Sequence, residues 1–376
     1  MNHDPADKKK GLPRVLVAPL DWGLGHATRC IPVIYELLRQ NADVWLAGEG
    51  AQEILLKKEF PDLPFLYLRG YRVKYGKSRL GLISTIFRQV PHILNSIRQE
   101  NKWLKNVVNE YQFDAIISDN RYGLYHTRAP SVFITHQLAI KSPFGKWSER
   151  ILQKKIYRLI NQFAECWIPD EEKENGLAGQ LSHPAVMPPI PVRYLGFLSR
   201  LKKMSDGKKK NHLFISLSGP EPQRSLLENK IIDDIGHYKG TAAMVRGLPG
   251  EKMIIPSTND IRFYNHLPTE ELNKEMERAE YIISRSGYST VMDIVALAKK
   301  SILIPTPGQT EQEYLAKYLT EKKIAVCISQ KEFDLQEALK EASEFEYKTI
   351  HYTNPSKLSS AIQSFLKICT SCKTPK

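Results

Sequence analysis

Three stretches of this sequence hold side chains whose types and spacing suit chemistry on an anionic, polyhydroxylated ligand. The first is "DWGLGHATRC", residues 21–30. Gly23 and Gly25 permit a tight turn with close backbone approach, and His26 follows at the start of an apolar-periodic run. Histidine has an unperturbed pKa of about 6.5, so it can take a proton from a hydroxyl near neutrality. Asp119, closing "DAIISD", is a candidate partner for the far ring nitrogen, in a dyad that fixes the tautomer and raises basicity. The plainer reading of His26 is a helix-start histidine bonded to backbone. His136 and Gln137 in "SVFITHQL", with Arg121 and Tyr122 in "DNRYG", end neighbouring apolar runs. His136 is a second base candidate, and Arg121 suits an anionic acceptor; the alternative is that they only pack.

The second stretch is "YIISRSGYSTVMDIVALA", residues 281–298. Arg285 and Gly287 precede a helix beginning at Ser289 or Thr290, whose bare N–H groups suit a phosphate. Asp293, one turn in, can accept both hydroxyls of a ribose; the alternative is a capping box with Thr290. The third is "SILIPTPGQTEQEYLAKYL", where Gln309, Thr310, Glu311, Gln312 and Glu313 open a helix after a Pro-Gly turn. Such a group suits sugar hydroxyls, although acids at a helix start are also favoured by its dipole. Ser218 and Gly219 in "FISLSGPEPQRS" add one more polar loop.

These loops need scaffolding, and the sequence supplies it twice. Strands are expected at "RVLVAPL", "DVWLAGE", "PFLYLRG", "DAIISD", "SVFITH" and "CWIPD", and again at "LFISLSG", "AAMVRG", "KMIIPS", "YIISRSG", "SILIPTP" and "AVCIS". Helical patterns lie between most of them. This alternation predicts an α/β protein with two Rossmann-like, doubly wound domains whose rims face one cleft. Lysine-rich "FLSRLKKMSDGKKKNH" between them reads as a linker. The helical tail from Pro355 can pack on either domain.

The chain has 376 residues, 42% hydrophobic and 25% charged, with a formal net charge of +13. That is globular and favours anionic partners. No apolar run is long enough for a membrane span, and the start lacks the apolar core of a secretory signal. Five scattered cysteines fit a reducing cytosol, and "CTSC" has no second pair. No Asp-x-Asp pair or metal-ligand spacing occurs, so no metal and no other cofactor is expected. No nucleic-acid module is recognisable. From Gly70 to Lys105 an apolar stripe including Leu80, Ile83, Phe87, Val90 and Leu94 is flanked by Arg69, Arg72, Lys74, Lys77, Arg79, Arg88 and Arg98. It either lies on an anionic membrane surface or faces the core.

The run from Ser284 to Leu319 and the "GLGH" loop resemble glycosyltransferase family 28. Its members include the enzyme that adds N-acetylglucosamine to the lipid-linked peptidoglycan precursor. The resemblance implies a GT-B fold: residues 1–198 as acceptor-side domain, 199–211 as linker, and 212–376 as nucleotide-sugar domain. It implies an inverting, metal-independent transfer of a hexose or N-acetylhexosamine from a UDP-sugar to a hydroxyl, with a lipid-linked or other glycan acceptor. His26 and Asp119 would then be catalytic. Gly23, Gly25, Arg121, Tyr122, His136 and Gln137 would face the acceptor. Ser218, Gly219, Arg285, Gly287, Ser289, Thr290, Asp293, Gln309, Gln312 and Glu313 would hold the donor. Asp293 replaces the family's usual Glu, and Glu313 the second of its glutamines. The implied place is the cytoplasm, with peripheral contact at the inner face of the plasma membrane. "GLGHATRC" also resembles nucleotide-sugar hydrolases of the pseudaminic acid pathway, in which the histidine activates water. A UDP-sugar epimerase and a non-catalytic UDP-sugar-binding subunit stay open beside it.

Overall fold

A computed structural model describes residues 11–72, 79–142, 145–173, 176–204, 211–350 and 356–371, with backbone alone for 79–88 and 370–371. In the N-terminal half, β1 (Arg14–Pro19), β2 (Asp43–Gly48), β3 (Phe65–Tyr67), β4 (Ala115–Asp119), β5 (Ser131–Ile134), β6 (Glu165–Ile168) and β7 (Val192–Tyr194) form one parallel sheet, ordered β3-β2-β1-β4-β5-β6-β7. Helices α1 (Leu24–Arg39), α2 (Gly50–Glu59), α3 (Arg79–Tyr111) and α4 (Lys146–Ile160) connect them. Strands covered on both faces read as unbroken apolar runs, and β1 is buried throughout. Val15 and Val17 meet the face carrying α1, while Leu16 and Ala18 meet Leu104 and Val108 of α3.

The second half repeats the scheme. β8 (His212–Ser216), β9 (Thr241–Val245), β10 (Ile261–Tyr264), β11 (Tyr281–Ser284), β12 (Lys300–Leu303) and β13 (Val326–Cys327) form a parallel sheet ordered β10-β9-β8-β11-β12-β13. Its helices are α5 (Gln223–Ile235), α6 (Thr269–Arg278), α7 (Tyr288–Ala296), α8 (Thr310–Glu321) and α9 (Leu335–Glu344). In both sheets the order reverses beside the first strand, so a crevice opens at the carboxyl ends of β1 and β4, and of β8 and β11.

Two expectations fail here. "KMIIPS" is irregular, with Met253 and Ile254 exposed, and the strand is β10 instead. β10 is an edge strand, buried on alternate residues, and Pro256 of "KMIIPS" has no N–H to give a ladder. The lysine-rich connection is not solvated from its start. Leu198 and Leu201 are buried and Ser199 reaches Asp293, while residues 205–210 lie outside the described residues.

The last helix, α10 (Ser356–Ser371), leaves the second half and packs on the first. The Phe365 ring meets the Trp167 ring edge-on at 5.6 Å. Ser359 accepts from Arg39 Nη2 at 2.8 Å, and Lys357 pairs with Glu171.

Candidate active site

The first turn of α1 follows β1 directly. Gly23 precedes it with φ 92°, a conformation that needs glycine, and no side chain caps the helix. His26 and Arg29, three residues apart, share one face of that turn. Parallel pairing sets Pro19 of β1 beside Asp119 of β4, which brings the carboxylate under this face. His26 Nδ1 lies 2.6 Å from Asp119 Oδ1. Arg29 grips the same carboxylate through Nε to Oδ2 and through Nη2 to Oδ1 at 2.5 Å.

Burial alone would raise the Asp119 carboxyl, yet Arg29 and His26 hold it at about 2. An ionised oxygen this close requires a proton on Nδ1. The ring is therefore the Nδ1–H tautomer, with the Nε2 lone pair unused. Arg29 Nη2 also approaches Nδ1 at 2.7 Å, a contact between two donors that both serve Asp119 Oδ1. Burial first and the Arg29 charge second push His26 below its ordinary pKa, against the pull of Asp119. The ring stays neutral and basic at neutral pH.

The other half closes the site. Ser289, in the first turn of α7, donates to the Gly25 carbonyl at 2.8 Å. A Cβ on Gly25 would sit 3.1 Å from Ser289 Oγ, so glycine permits this approach. Tyr288 donates to the Pro169 carbonyl at 2.7 Å and stacks on the His136 ring, centroids 4.2 Å apart. His136 Nδ1 accepts from Arg29 Nη1 at 3.0 Å, which leaves its proton on Nε2, donated to Glu311 Oε1 at 2.8 Å. One hydrogen-bonded cluster thus runs from His26 through Asp119, Arg29 and His136 to Glu311 on α8.

Residues 253–367 match the family model described as glycosyltransferase family 28 C-terminal domain. Among relatives, the UDP-N-acetylglucosamine–N-acetylmuramyl-(pentapeptide) pyrophosphoryl-undecaprenol N-acetylglucosamine transferase of Haemophilus ducreyi is 22% identical over 327 residues, covering 84% of this chain and 85% of its own. Its namesake from Pasteurella multocida is 23% identical over 337 residues, 87% of each chain. The chain is a glycosyltransferase, and residues 253–367 carry its likeness to family 28. Among solved structures, SnogD from Streptomyces nogalater superposes with a TM-score of 0.59 at 12% identity, over 95% of this chain and 100% of its own. Acinetobacter baumannii MurG does so at 0.50 and 12%, over 96% and 99%. These likenesses show the fold, which is GT-B.

Within this GT-B framework the remaining candidates divide. Arg121 is fully buried and cannot reach an acceptor. Its Nε meets Glu100 Oε1 at 2.5 Å, and its other donors go to the Pro19 and Arg69 carbonyls. Tyr122 packs its ring on Phe133, and Gln137 is half-buried with its backbone N–H on Thr135 Oγ1. His136 has both nitrogens engaged, so it does not serve as a second free base.

On the donor side, Asp293 is turned to the interdomain connection. Its Oδ1 accepts from Ser199 Oγ at 2.6 Å, and burial raises its carboxyl to about 6. A ribose would have to displace Ser199. Gln312 and Glu313 brace their own turn, accepting from the Thr306 and Gly308 N–H groups. Arg285 donates to the carbonyls of Ile304, Pro305 and Gln223, and burial lowers it to about 10. Its Nε and the Thr306 hydroxyl are buried without a partner among the described residues. Gly219, at φ 105°, comes 3.6 Å from that hydroxyl measured from a built Cβ. Gly287 caps α7 at an ordinary φ of −73°, and a Cβ there would meet only open space. Ser218, Thr290 and Gln309 lie along the same rim, none fully buried.

Arg29, Tyr288 and Glu311 join this cluster; the sequence marked Arg29 only within "GLGHATRC" and Glu311 only within a sugar-facing helix start, and it did not single out Tyr288. The signal for Arg29 was its three-residue spacing from His26. Tyr288 and Glu311 sit in the first turns of α7 and α8, yet their partners lie in the other half of the chain.

Proposed function

We propose that this chain moves a hexose or N-acetylhexosamine from a UDP-sugar to a hydroxyl of a lipid-linked acceptor, with inversion and without a metal. The observation that carries the reading is the His26–Asp119 pair, whose Nε2 is left free where the first turns of α1 and α7 meet. His26 Nε2 takes the acceptor proton. The oxygen bonds to the anomeric carbon as the carbon–phosphate-oxygen bond breaks, and the electron pair leaves with UDP. A single displacement inverts the centre. Neither α1 nor α7 has an acid in its first turn, so both helix ends favour the departing negative charge. The partnerless Arg285 Nε and Thr306 hydroxyl, with the open space at Gly287, suit oxygen ligands of the donor.

The relatives' names supply the substrate classes: UDP-N-acetylglucosamine and a pyrophosphoryl-undecaprenol acceptor. The comparisons do not favour the hydrolase, epimerase or non-catalytic alternatives. Peripheral contact at the inner face of the plasma membrane, from the cytoplasm, belongs to the same proposal, and a net charge of +13 supports it. Among the described residues no helix is long and apolar enough to cross a membrane. Val90 and Leu94 of the basic apolar stripe are exposed, but the side chains of residues 73–88 lie outside the described ones.

The test is UDP release from a panel of UDP-sugars with a polyprenyl-pyrophosphate glycan acceptor. Release should require acceptor. His26→Ala should cut it by about 10²–10⁴-fold while UDP still raises the melting temperature. Equal amounts of UDP and free sugar formed without acceptor would overturn the reading in favour of hydrolysis.

A further inference from the structure

We propose that Glu311, carried by the C-terminal half, is a positioning residue for the base in the N-terminal half and supplies the charge that lets His26 accept a proton. This deepens the proposed function and rests on His26 as base.

The first argument is direction. Glu311 Oε1 accepts the Nε2 proton of His136, which turns the Nδ1 lone pair of that ring to Arg29. Arg29 can then give one arm to His136 and two donors to Asp119, and Asp119 orients His26. Without an acceptor at Glu311, His136 has no reason to keep its proton on Nε2. The other tautomer would set an N–H against an Arg29 N–H. Tyr288 stacks on the His136 ring from the same half as Glu311, so position and tautomer are both set from across the seam.

The second argument is charge. Arg29 of α1 and Asp119 of β4 touch His26 directly, and Glu311 of α8 joins the same cluster through His136, which follows β5. Arg29 and Asp119 alone sum to zero, so a proton on His26 would leave a buried net positive charge, which is costly. With Glu311 ionised the set carries one negative charge beforehand and becomes neutral when His26 takes the acceptor proton. Burial works to raise the Glu311 carboxyl, yet His136, His26 and Arg29 bring it below its ordinary value, so it is charged at neutral pH. Its side chain is 31% exposed against 5% for His136, so it stands on the open side of the cluster.

The experiment uses the full chain with labelled histidine, followed by NMR, with His26 assigned by its loss in His26→Gln. Glu311→Gln keeps an acceptor for His136 and removes only the charge. The His26 midpoint should fall by about one pH unit. In the transfer assay the acid limb of the kcat profile should move the same way, because a weaker base loses its proton at lower pH. Plateau kcat should fall about tenfold, with KM for the donor unchanged. Glu311→Asp should recover much of both. An identical His26 midpoint in the wild type and Glu311→Gln would overturn the proposal. The titration needs no turnover, so a chain that transferred no sugar would defeat the proposed function and still report on Glu311.

Discussion

Asp293 is a carboxyl that folding makes harder to ionise, and its consequence has a definite sign. Its folded pKa of about 6 lies above the ordinary aspartate value of about 3.9. The folded state therefore binds that proton more tightly than the unfolded chain. The stability this contributes is present below about pH 4 and is lost as pH rises through about 6. Asn keeps an acceptor for Ser199 and never ionises. The melting temperature of Asp293→Asn should match the wild type near pH 4 and exceed it at pH 8, by about 1–3 kcal/mol of unfolding free energy. Equal melting at pH 8 would mean that the carboxylate is better solvated than its burial and its contact with Ser199 indicate. At this scale the sequence was legible where chemistry follows local order. His26 opens the helix that follows β1 and Asp119 ends β4, and the parallel pairing of those two strands joined them. Arg121 misled because a strand-end arginine looks the same whether it faces solvent or Glu100, and only the path of α3 decides. Glu311 was legible as part of a polar helix start, but its pairing with His136, 175 residues away, was not.

Elements were legible wherever both faces of a strand are covered, because such strands are continuous apolar runs. β10 is half-covered and alternates, so the denser apolar run of "KMIIPS" drew attention from it. β7 has only three residues, too few for a pattern. The destination of α10 was left open by its sequence, since an amphipathic helix states that it must pack but not on what. Its contacts give the answer. Phe365 is 1% exposed and meets Trp167, a fully buried residue of β6. Phe365→Ala should cost about 3–5 kcal/mol in denaturant unfolding, because the two halves cannot collapse into the space it leaves. A cost under about 1 kcal/mol would show α10 to be a loosely held tail.

At the scale of the whole molecule, one apolar cluster passes from Val15 and Ile31 through Leu198 and Leu201 to Phe214, Met292 and Phe365. Two sheets that share a core in this way should lose it together. Calorimetry should give one transition with a van't Hoff enthalpy near the calorimetric one, although two-domain chains commonly unfold in steps. Two resolved peaks would mean that the shared cluster is too thin to couple them. Duplication was plain in the sequence because strand and helix alternate twice. The seam was not, because Tyr288–Pro169, Ser289–Gly25 and His136–Glu311 are contacts between distant stretches. That last contact bears on how such chains can be recombined. A C-terminal half exchanged for that of a relative brings its own residue at the place of Glu311. The graft would carry, in the same step, a different proton affinity for a histidine that it never touched.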